Sequence, residues 1–387
     1  MFVRPTRVAL VGPFWPYRGG IAHFSRALAA GLAARGHDVR RYTFARQYPE
    51  RLFPGKTQLE AGLPPAAEQP PAPRLLDTLD PRTWTRTARV IAEDGAEVVV
   101  LAYWMPFFAP VLGVLARRLR RRGVRVLAVV HNALPHERRP GDRLLTRFAL
   151  GACDGLVVLS EGVRRDVEAL VPGVPVRQAA HPVYDLFGAP VPKAEARAAL
   201  GLPADAPLLL FFGFVRRYKG LHVLLDAMPR ILARLPDARL VVAGEFYADE
   251  DALRAQAAPL GAAVRFDADY VPDEAVARYF GAADVVVQPY VSATQSGVAQ
   301  IAFHFGRPVI TTDVGGLAEV VPHCEAGLVV PPEDPEALAD AVIRFFEEGM
   351  AARLEAGVRR EREEYGWDRL FEALEALWEA GPEPAAL

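Results

Sequence analysis

The chain is 387 residues long, with 51% hydrophobic and 24% charged side chains and a formal net charge of −2. That composition can bury large cores and excludes an intrinsically disordered protein, and the length suits two domains. The near-neutral total hides an asymmetry: residues 1–190 carry 27 Lys+Arg and 16 Asp+Glu, a balance of +11, while residues 191–387 carry 18 and 31, a balance of −13. Oppositely charged halves fit two domains with different partners, or two that attract one another, and the basic half suits an anionic partner or membrane surface. Two cysteines, Cys153 and Cys324, exclude a disulfide framework and fit a reducing compartment. Arg4 and Arg7 are followed by only four apolar residues before Gly12-Pro13, so no secretory leader is expected.

Along the chain, strand and helix signals alternate. Val8–Val11 is a short apolar run ending at Gly12-Pro13, and a helix from about Ile21 carries Phe24, Leu28 and Leu32 on one stripe, with Gly36 as its stop. Val39–Phe44 reads as a strand, and residues 47–74, rich in Pro and Gly, as a long excursion. Residues 98–116 hold no charge and approach the length of a bilayer span, but Pro106 and Pro110 divide them into a buried strand, Val98–Tyr103, and a helix from Val111 to near Gly123. That helix ends in Arg117, Arg118, Arg120, Arg121 and Arg122, a solvated face or a seat on anionic lipid. Val124–Val130, Leu156–Ser160 and Val176–Ala180 are further strands.

A second series follows Pro190. Leu208–Phe212, Leu240–Ala243, Val285–Gln288, Val309–Thr311 and Leu328–Val330 are the expected strands, and Leu221, Leu224, Leu225, Met228, Ile231, Leu232 and Leu235 form one helical stripe. Continuous apolar runs between helices indicate parallel strands buried on both faces. The fold class expected is α/β, with two doubly wound Rossmann-like domains joined near residues 181–200. Ligands of such sheets sit beyond the carboxyl ends of the strands, so a cleft faced by both domains is the expected site.

Chemistry concentrates in the loops after these strands. Gly12 to Ile21 lies between a strand and a helix, and Gly19 and Gly20 let backbone N–H groups approach a ligand; a plain tight turn fits equally. Gly213-Phe-Val-Arg-Arg-Tyr-Lys-Gly220 again follows a strand and opens a helix. Its three cations, Arg216, Arg217 and Lys219, suit a diphosphate. Thr294, Gln295, Ser296 and Gly297 offer hydrogen bonds to sugar hydroxyls or phosphate oxygens, or simply cap the next helix. Glu319 is placed to accept bonds from a diol, or is a surface residue. His131 ends a strand; His136 and Glu137 follow it and suit an acceptor. Asp267-Ala-Asp269 reads as a surface turn, and the histidine spacing is poor for a metal, so no essential metal is expected.

Taken in order, these segments resemble the GT-B glycosyltransferases of family 4 (glycosyl transferases group 1). Gly213 to Lys219-Gly220 keeps the family's glycine-to-lysine spacing, Val314-Gly315-Gly316 to Glu319 matches its late segment, Asp154–Ser160 looks like the strand closing its first domain, and Tyr365-Gly-Trp-Asp-Arg-Leu resembles its final helix. The resemblance implies a domain of residues 1–185 on the acceptor side, with 367–387 packing back on it, and a donor domain of 186–366. It implies a retaining, hexosyl-type, metal-independent transfer from a nucleotide-diphosphate sugar, as co-substrate, to a carbohydrate or lipid-linked acceptor in polysaccharide or glycolipid synthesis. Lys219, Arg216 and His131 would be catalytic, with His131 facing the donor sugar. Gly19, Gly20, Gly213, Arg217, Thr294, Gln295, Ser296, Gly297 and Glu319 would bind the donor. No cofactor and no nucleic acid are expected, and a cytoplasmic place, peripheral to the inner membrane face, would follow.

Two departures stand out. Most members carry paired glutamates eight positions apart where Ser292–Gly306 has no acid and Thr294, Gln295 and Gln300 lie instead, and the Arg that often follows the first glycine is Phe214. Two other classes therefore stand beside a transferase: a nucleotide-sugar epimerase of similar fold, and a non-catalytic nucleotide-sugar-binding protein.

Overall fold

The computed structural model describes residues 4–49, 53, 57–60, 64, 68–135, 139–183, 187–247, 249–293 and 296–380. The chain divides into two compact units, Met1–His181 with Trp367–Leu387, and Pro182–Gly366.

The first unit alternates β1 (Arg7–Val11), α1 (Gly20–Ala34), β2 (Asp38–Arg46), β3 (Arg74–Asp77), α2 (Pro81–Glu93), β4 (Val98–Tyr103), α3 (Ala109–Arg120), β5 (Arg125–Val130), α4 (Asp142–Leu150), β6 (Gly155–Val158), α5 (Glu161–Leu170) and β7 (Val176–Gln178). All strand pairs are parallel, in the order β3-β2-β1-β4-β5-β6-β7. The apolar runs sit in the middle because central strands are covered on both faces. The uncharged stretch at 98–116 is split: β4 is buried in the sheet, residues 106–108 make one tight turn, and Pro110 enters the first turn of α3, where its missing N–H costs nothing. Val111, Leu112, Leu115, Ala116 and Leu119 then bury one side of α3. No helix among the described residues is long and apolar enough to cross a membrane.

The second unit runs α6 (Lys193–Leu200), β8 (Leu208–Phe212), α7 (Leu221–Arg234), β9 (Arg239–Ala243), α8 (Glu250–Ala257), β10 (Val264–Asp267), α9 (Asp273–Ala282), β11 (Val285–Gln288), α10 (Gly297–His304), β12 (Val309–Thr312), α11 (Leu317–Val320), β13 (Gly327–Val330), α12 (Pro335–Glu347) and α13 (Ala351–Glu364). Its parallel order is β10-β9-β8-β11-β12-β13. Leu221, Leu224, Leu225, Met228 and Ile231 of α7 are buried, while Leu232 and Leu235 are only partly so and flank the core. Asp284 ties α6 to the sheet: it accepts from Lys193 at 2.6 Å, Arg197 at 2.8 Å and the backbone N–H of Leu208 at 2.8 Å.

The last helix, α14 (Asp368–Glu379), belongs to the first unit. It buries Leu370, Phe371, Leu374, Leu377 and Trp378, each worth about 1.5–3 kcal/mol when fully covered. It also lies so close to α1 that a Cβ on Gly31 would be 2.0 Å from the Phe371 ring, so only glycine fits there. Glu375, its side chain 8% exposed, accepts two bonds from the Arg35 guanidinium at 2.7 and 2.8 Å and lies 3.3 Å from His37 Nε2.

Two strands escape the sequence reading. β3 begins at the last residue of what reads as the excursion and runs on past it, and β10 covers Asp267, which reads as a turn. Both are edge strands of four residues with few buried side chains, so neither shows a continuous apolar run.

Candidate active site

In an open parallel sheet the ligand crevice opens where the strand order reverses. In the second unit that point lies between β8 and β11. The loop Gly213–Gly220 follows β8 and the loop Gln288–Gly297 follows β11, so the topology places the two expected phosphate- and sugar-binding segments side by side. They lock together: the Val291 N–H donates to the Tyr218 carbonyl at 2.7 Å, and Tyr218 and Tyr290 meet edge to face at 6.2 Å. Gly220 stands at φ 69°, and a Cβ there would sit 1.8 Å from the Pro289 carbonyl oxygen. Gly220→Ala is therefore expected to cost about 3 kcal/mol or more in chemical denaturation, strain and overlap together. Gly306→Ala, with φ 68° but nothing within 4 Å, should cost only about 1–2 kcal/mol.

Lys219 is the centre of this arrangement. It is 8% exposed. The absent side chain of Gly213 leaves room for its ammonium, since a Cβ there would be 3.1 Å from Nζ, and Nζ stands 5.7 Å from the Tyr290 ring centre. No carboxylate among the described residues pairs with it. Burial, helped by the nearby Arg216 charge, pushes its pKa down to about 7. A buried ammonium with no protein counter-charge is costly in the empty protein and marks a place for an anion.

Around it, Arg216 and Arg217 are exposed. The Arg216 guanidinium lies 4.6 Å over the Tyr247 ring, which itself packs 4.6 Å from Phe214. Ser296 caps α10 through its bond from Val298 N–H, accepts from Gln288 Nε2 at 2.8 Å, and lies 3.3 Å from the Tyr290 hydroxyl. Gln300 is fully buried, and neither end of its amide has a hydrogen-bond partner among the described residues. Gly297 begins α10. Glu319 is exposed on α11, directly after β12, the neighbour of β11, and its carbonyl accepts from the Tyr365 hydroxyl at 3.0 Å. Thr294 and Gln295 lie outside the described residues. Asp267 accepts from Arg265 and Tyr279, each at 2.8 Å, so this half of the D-x-D pair is held by protein groups.

In the first unit the reversal lies between β1 and β4. Gly19 at φ 102° turns the loop after β1 into α1, which begins at Gly20. Glu68, from the Pro-rich excursion, is buried under this loop: it accepts from the Trp15 N–H at 2.9 Å and stands 3.9 Å from Arg26. His131 directly follows β5, and its backbone N–H donates to the Tyr103 carbonyl at 2.8 Å. Its ring meets Phe24 edge to face at 4.5 Å, beside a small apolar cavity lined by Leu10, Phe14, Phe24, Leu101 and Val129. Burial, with His181 adding to it, pushes the imidazole pKa down to about 3, so His131 is neutral at physiological pH and offers a hydrogen-bonding ring rather than a cation. Its Nε2 is buried and has no hydrogen-bond partner among the described residues. His136 and Glu137 lie outside the described residues.

Sequence reasoning misses Glu68 and Tyr247. Neither stands in a motif; each acts on a residue far along the chain or in the next strand's loop.

Comparisons with known proteins agree with this fold. The family model "Glycosyl transferases group 1" matches residues 206–348, and "Glycosyl transferase 4-like domain" matches residues 19–183. A D-inositol 3-phosphate glycosyltransferase of Acidothermus cellulolyticus is 30% identical over 96% of this chain and 89% of its own length. Among solved structures, sucrose-phosphate synthase from Thermosynechococcus elongatus superposes with a TM-score of 0.75 at 24% identity, covering 97% of this chain and 98% of that one. Anabaena HepE in complex with UDP-glucose superposes at 0.68 with 14% identity, covering 97% and 99%. The chain belongs to the group 1, family 4 glycosyltransferases and has their GT-B fold of two Rossmann-like domains.

Proposed function

We propose that the protein transfers a hexose from a nucleoside diphosphate sugar to an acceptor hydroxyl, with retention at the anomeric carbon and without a metal. The observation that carries this reading is the buried, uncompensated Lys219 at the strand-order reversal. As the bond between the anomeric carbon and the diphosphate breaks, negative charge grows on the leaving group. Lys219, with Arg216 and Arg217, neutralises it; Gly213, Ser296, Gly297 and the Gly19-Gly20 turn supply backbone or hydroxyl contacts. Such preorganised donors are typically worth about 3–4 kcal/mol each.

Neutral His131 hydrogen-bonds a hydroxyl of the donor sugar through the partnerless Nε2, and Glu319 takes a diol. Ser292–Gly306 offers no carboxylate nucleophile, which favours displacement on one face. The acceptor oxygen bonds to the anomeric carbon as the diphosphate departs, and the acceptor proton passes to a diphosphate oxygen. The acceptor is a carbohydrate, a lipid-linked sugar or a phosphorylated polyol like the one in the relative's name. It is selected by the loops at 47–70, 103–110 and 132–140, with His136 and Glu137 among them, because loops on a rigid sheet carry specificity. The pathway is polysaccharide or glycolipid synthesis on the cytoplasmic side.

A thermal-shift panel of UDP, GDP, ADP and their sugars, run in a chelator, tests this. One nucleotide at about 100 times its dissociation constant should add roughly 2.7 kcal/mol of stability. Absence of any shift, or a shift that requires a divalent cation, overturns the reading. A shift with no transfer to any acceptor would leave a binding protein.

A further inference from the structure

Helices α3 and α4 meet on the surface of the first unit, and the seam between them is basic with an apolar crest. Residues 117–147 hold ten arginines and only two acids, Glu137 and Asp142. Gly113, Arg117 and Arg121 recur every four residues along the edge of α3, and Gly113 lets Phe148 of α4 approach: a Cβ there would be 2.6 Å from the Phe148 ring. Arg117 then stacks 4.0 Å over that ring. On α4, Arg143, Leu144, Arg147 and Phe148 share one outward face, opposite the buried Thr146, Ala149 and Leu150. Leu144 is 72% exposed and Phe148 37%, two of only four large apolar side chains exposed among the described residues. Arg117, Arg118, Arg121, Arg122, Arg143 and Arg147 meet no carboxylate among the described residues; Arg120, by contrast, is paired with Asp154 at 2.8 Å.

We propose that this α3–α4 face docks peripherally on an anionic lipid surface, with Leu144 and the edge of Phe148 entering the headgroup layer and the flanking arginines meeting lipid phosphates. Arginine stems lie along apolar surface while their heads reach phosphate, so the pattern of leucine between arginines suits a boundary that is apolar below and anionic above. A nucleic acid would satisfy the arginines but leave Leu144 without a partner, and the Phe148 face that could stack on a base is already covered by Arg117. The proposal does not depend on the reaction proposed above.

The full chain is tested by co-sedimentation with vesicles of phosphatidylcholine alone, and with about 30% phosphatidylglycerol, at roughly 50 and 500 mM salt. Binding is expected only to the anionic vesicles, weakening as salt rises. The double variant Arg143→Glu/Arg147→Glu should lower the partition constant at least about tenfold, since each basic residue near such a surface is worth roughly fivefold. Leu144→Ser should weaken it at both salt concentrations. Arg118→Glu/Arg122→Glu on α3 is a second variant, so failure of either pair to fold leaves the test intact. The proposal is overturned by no sedimentation with anionic vesicles at low salt, by equal binding to neutral vesicles, by variants that bind like the native chain, or by a short DNA duplex that competes equally well. Nucleotide-induced thermal shifts should be unchanged in every folded variant.

Discussion

Lys219→Ala should reduce kcat by at least about a hundredfold, with kcat/KM falling as much or more, because it removes a fixed cation that strengthens its contact as the diphosphate takes on charge. Near-native turnover in the variant would take Lys219 out of the mechanism. The same residue predicts an opposite effect on stability. Its folded pKa of about 7 lies below the ordinary lysine value of 10.5, so between these values the unfolded chain binds more protons and stability rises with pH. The penalty of burying the ammonium is fully present below about pH 7. Lys219→Met, similar in length and uncharged, should therefore melt above the native protein near pH 6, with a gain of roughly a few kcal/mol that shrinks toward pH 10. A bound diphosphate would restore the charge, so nucleotide affinity should decline above pH 7 with uptake of a proton, measurable by calorimetry in buffers of different ionisation enthalpy.

Glu375→Ala is the second large expected effect. The carboxylate holds Arg35 and His37 while α14 covers the first unit. Breaking a buried pair strands the remaining charge, and with Arg35 partly in solvent the loss should be about 2–4 kcal/mol. Burial raises the Glu375 pKa, but the hydrogen bonds from Arg35 and His37 outweigh it, and the net shift is downward. A carboxylate with a lowered folded pKa gives stability that is present above its unfolded value near 4.5 and is lost as pH falls through the folded one. Melting curves of native and variant proteins should thus differ at pH 7 and converge only as pH falls through the lowered folded value of Glu375. Parallel curves at every pH would show that the ion pair is not what anchors the helix.

How much of this was readable before the structure differs by element. β4, β5, β8, β9, β11 and β12 announce themselves because both of their faces are covered and each carries a continuous apolar run, with polar residues only at the ends. The edge strands β3 and β10 carry no such requirement and pass unnoticed. Lys219 was legible from its neighbours: a glycine on each side at fixed spacing, after a strand and before a helix. That it is buried without a counter-charge was not, because burial depends on Tyr290 and the loop of β11, some seventy residues downstream. His131 stood out as a strand-end histidine, but its neutrality follows from Phe24 and His181, which no local pattern joins to it. Glu68 was hidden for a related reason: a carboxylate in a Pro-rich excursion looks solvated until the fold brings it under Trp15.

The first unit is made from chain on both sides of the second, with α14 supplied only after residue 366. On a ribosome, where domains tend to fold as they emerge, Pro182–Gly366 has all its strands available before the first sheet receives its last covering helix. Until then the apolar surface meant for Phe371, Leu374 and Leu377 stays open, and the earliest-made part of the protein is the last to mature. Released chains truncated just short of Trp367 should therefore yield a protease-resistant fragment from the later-made unit and draw holding chaperones to the earlier one.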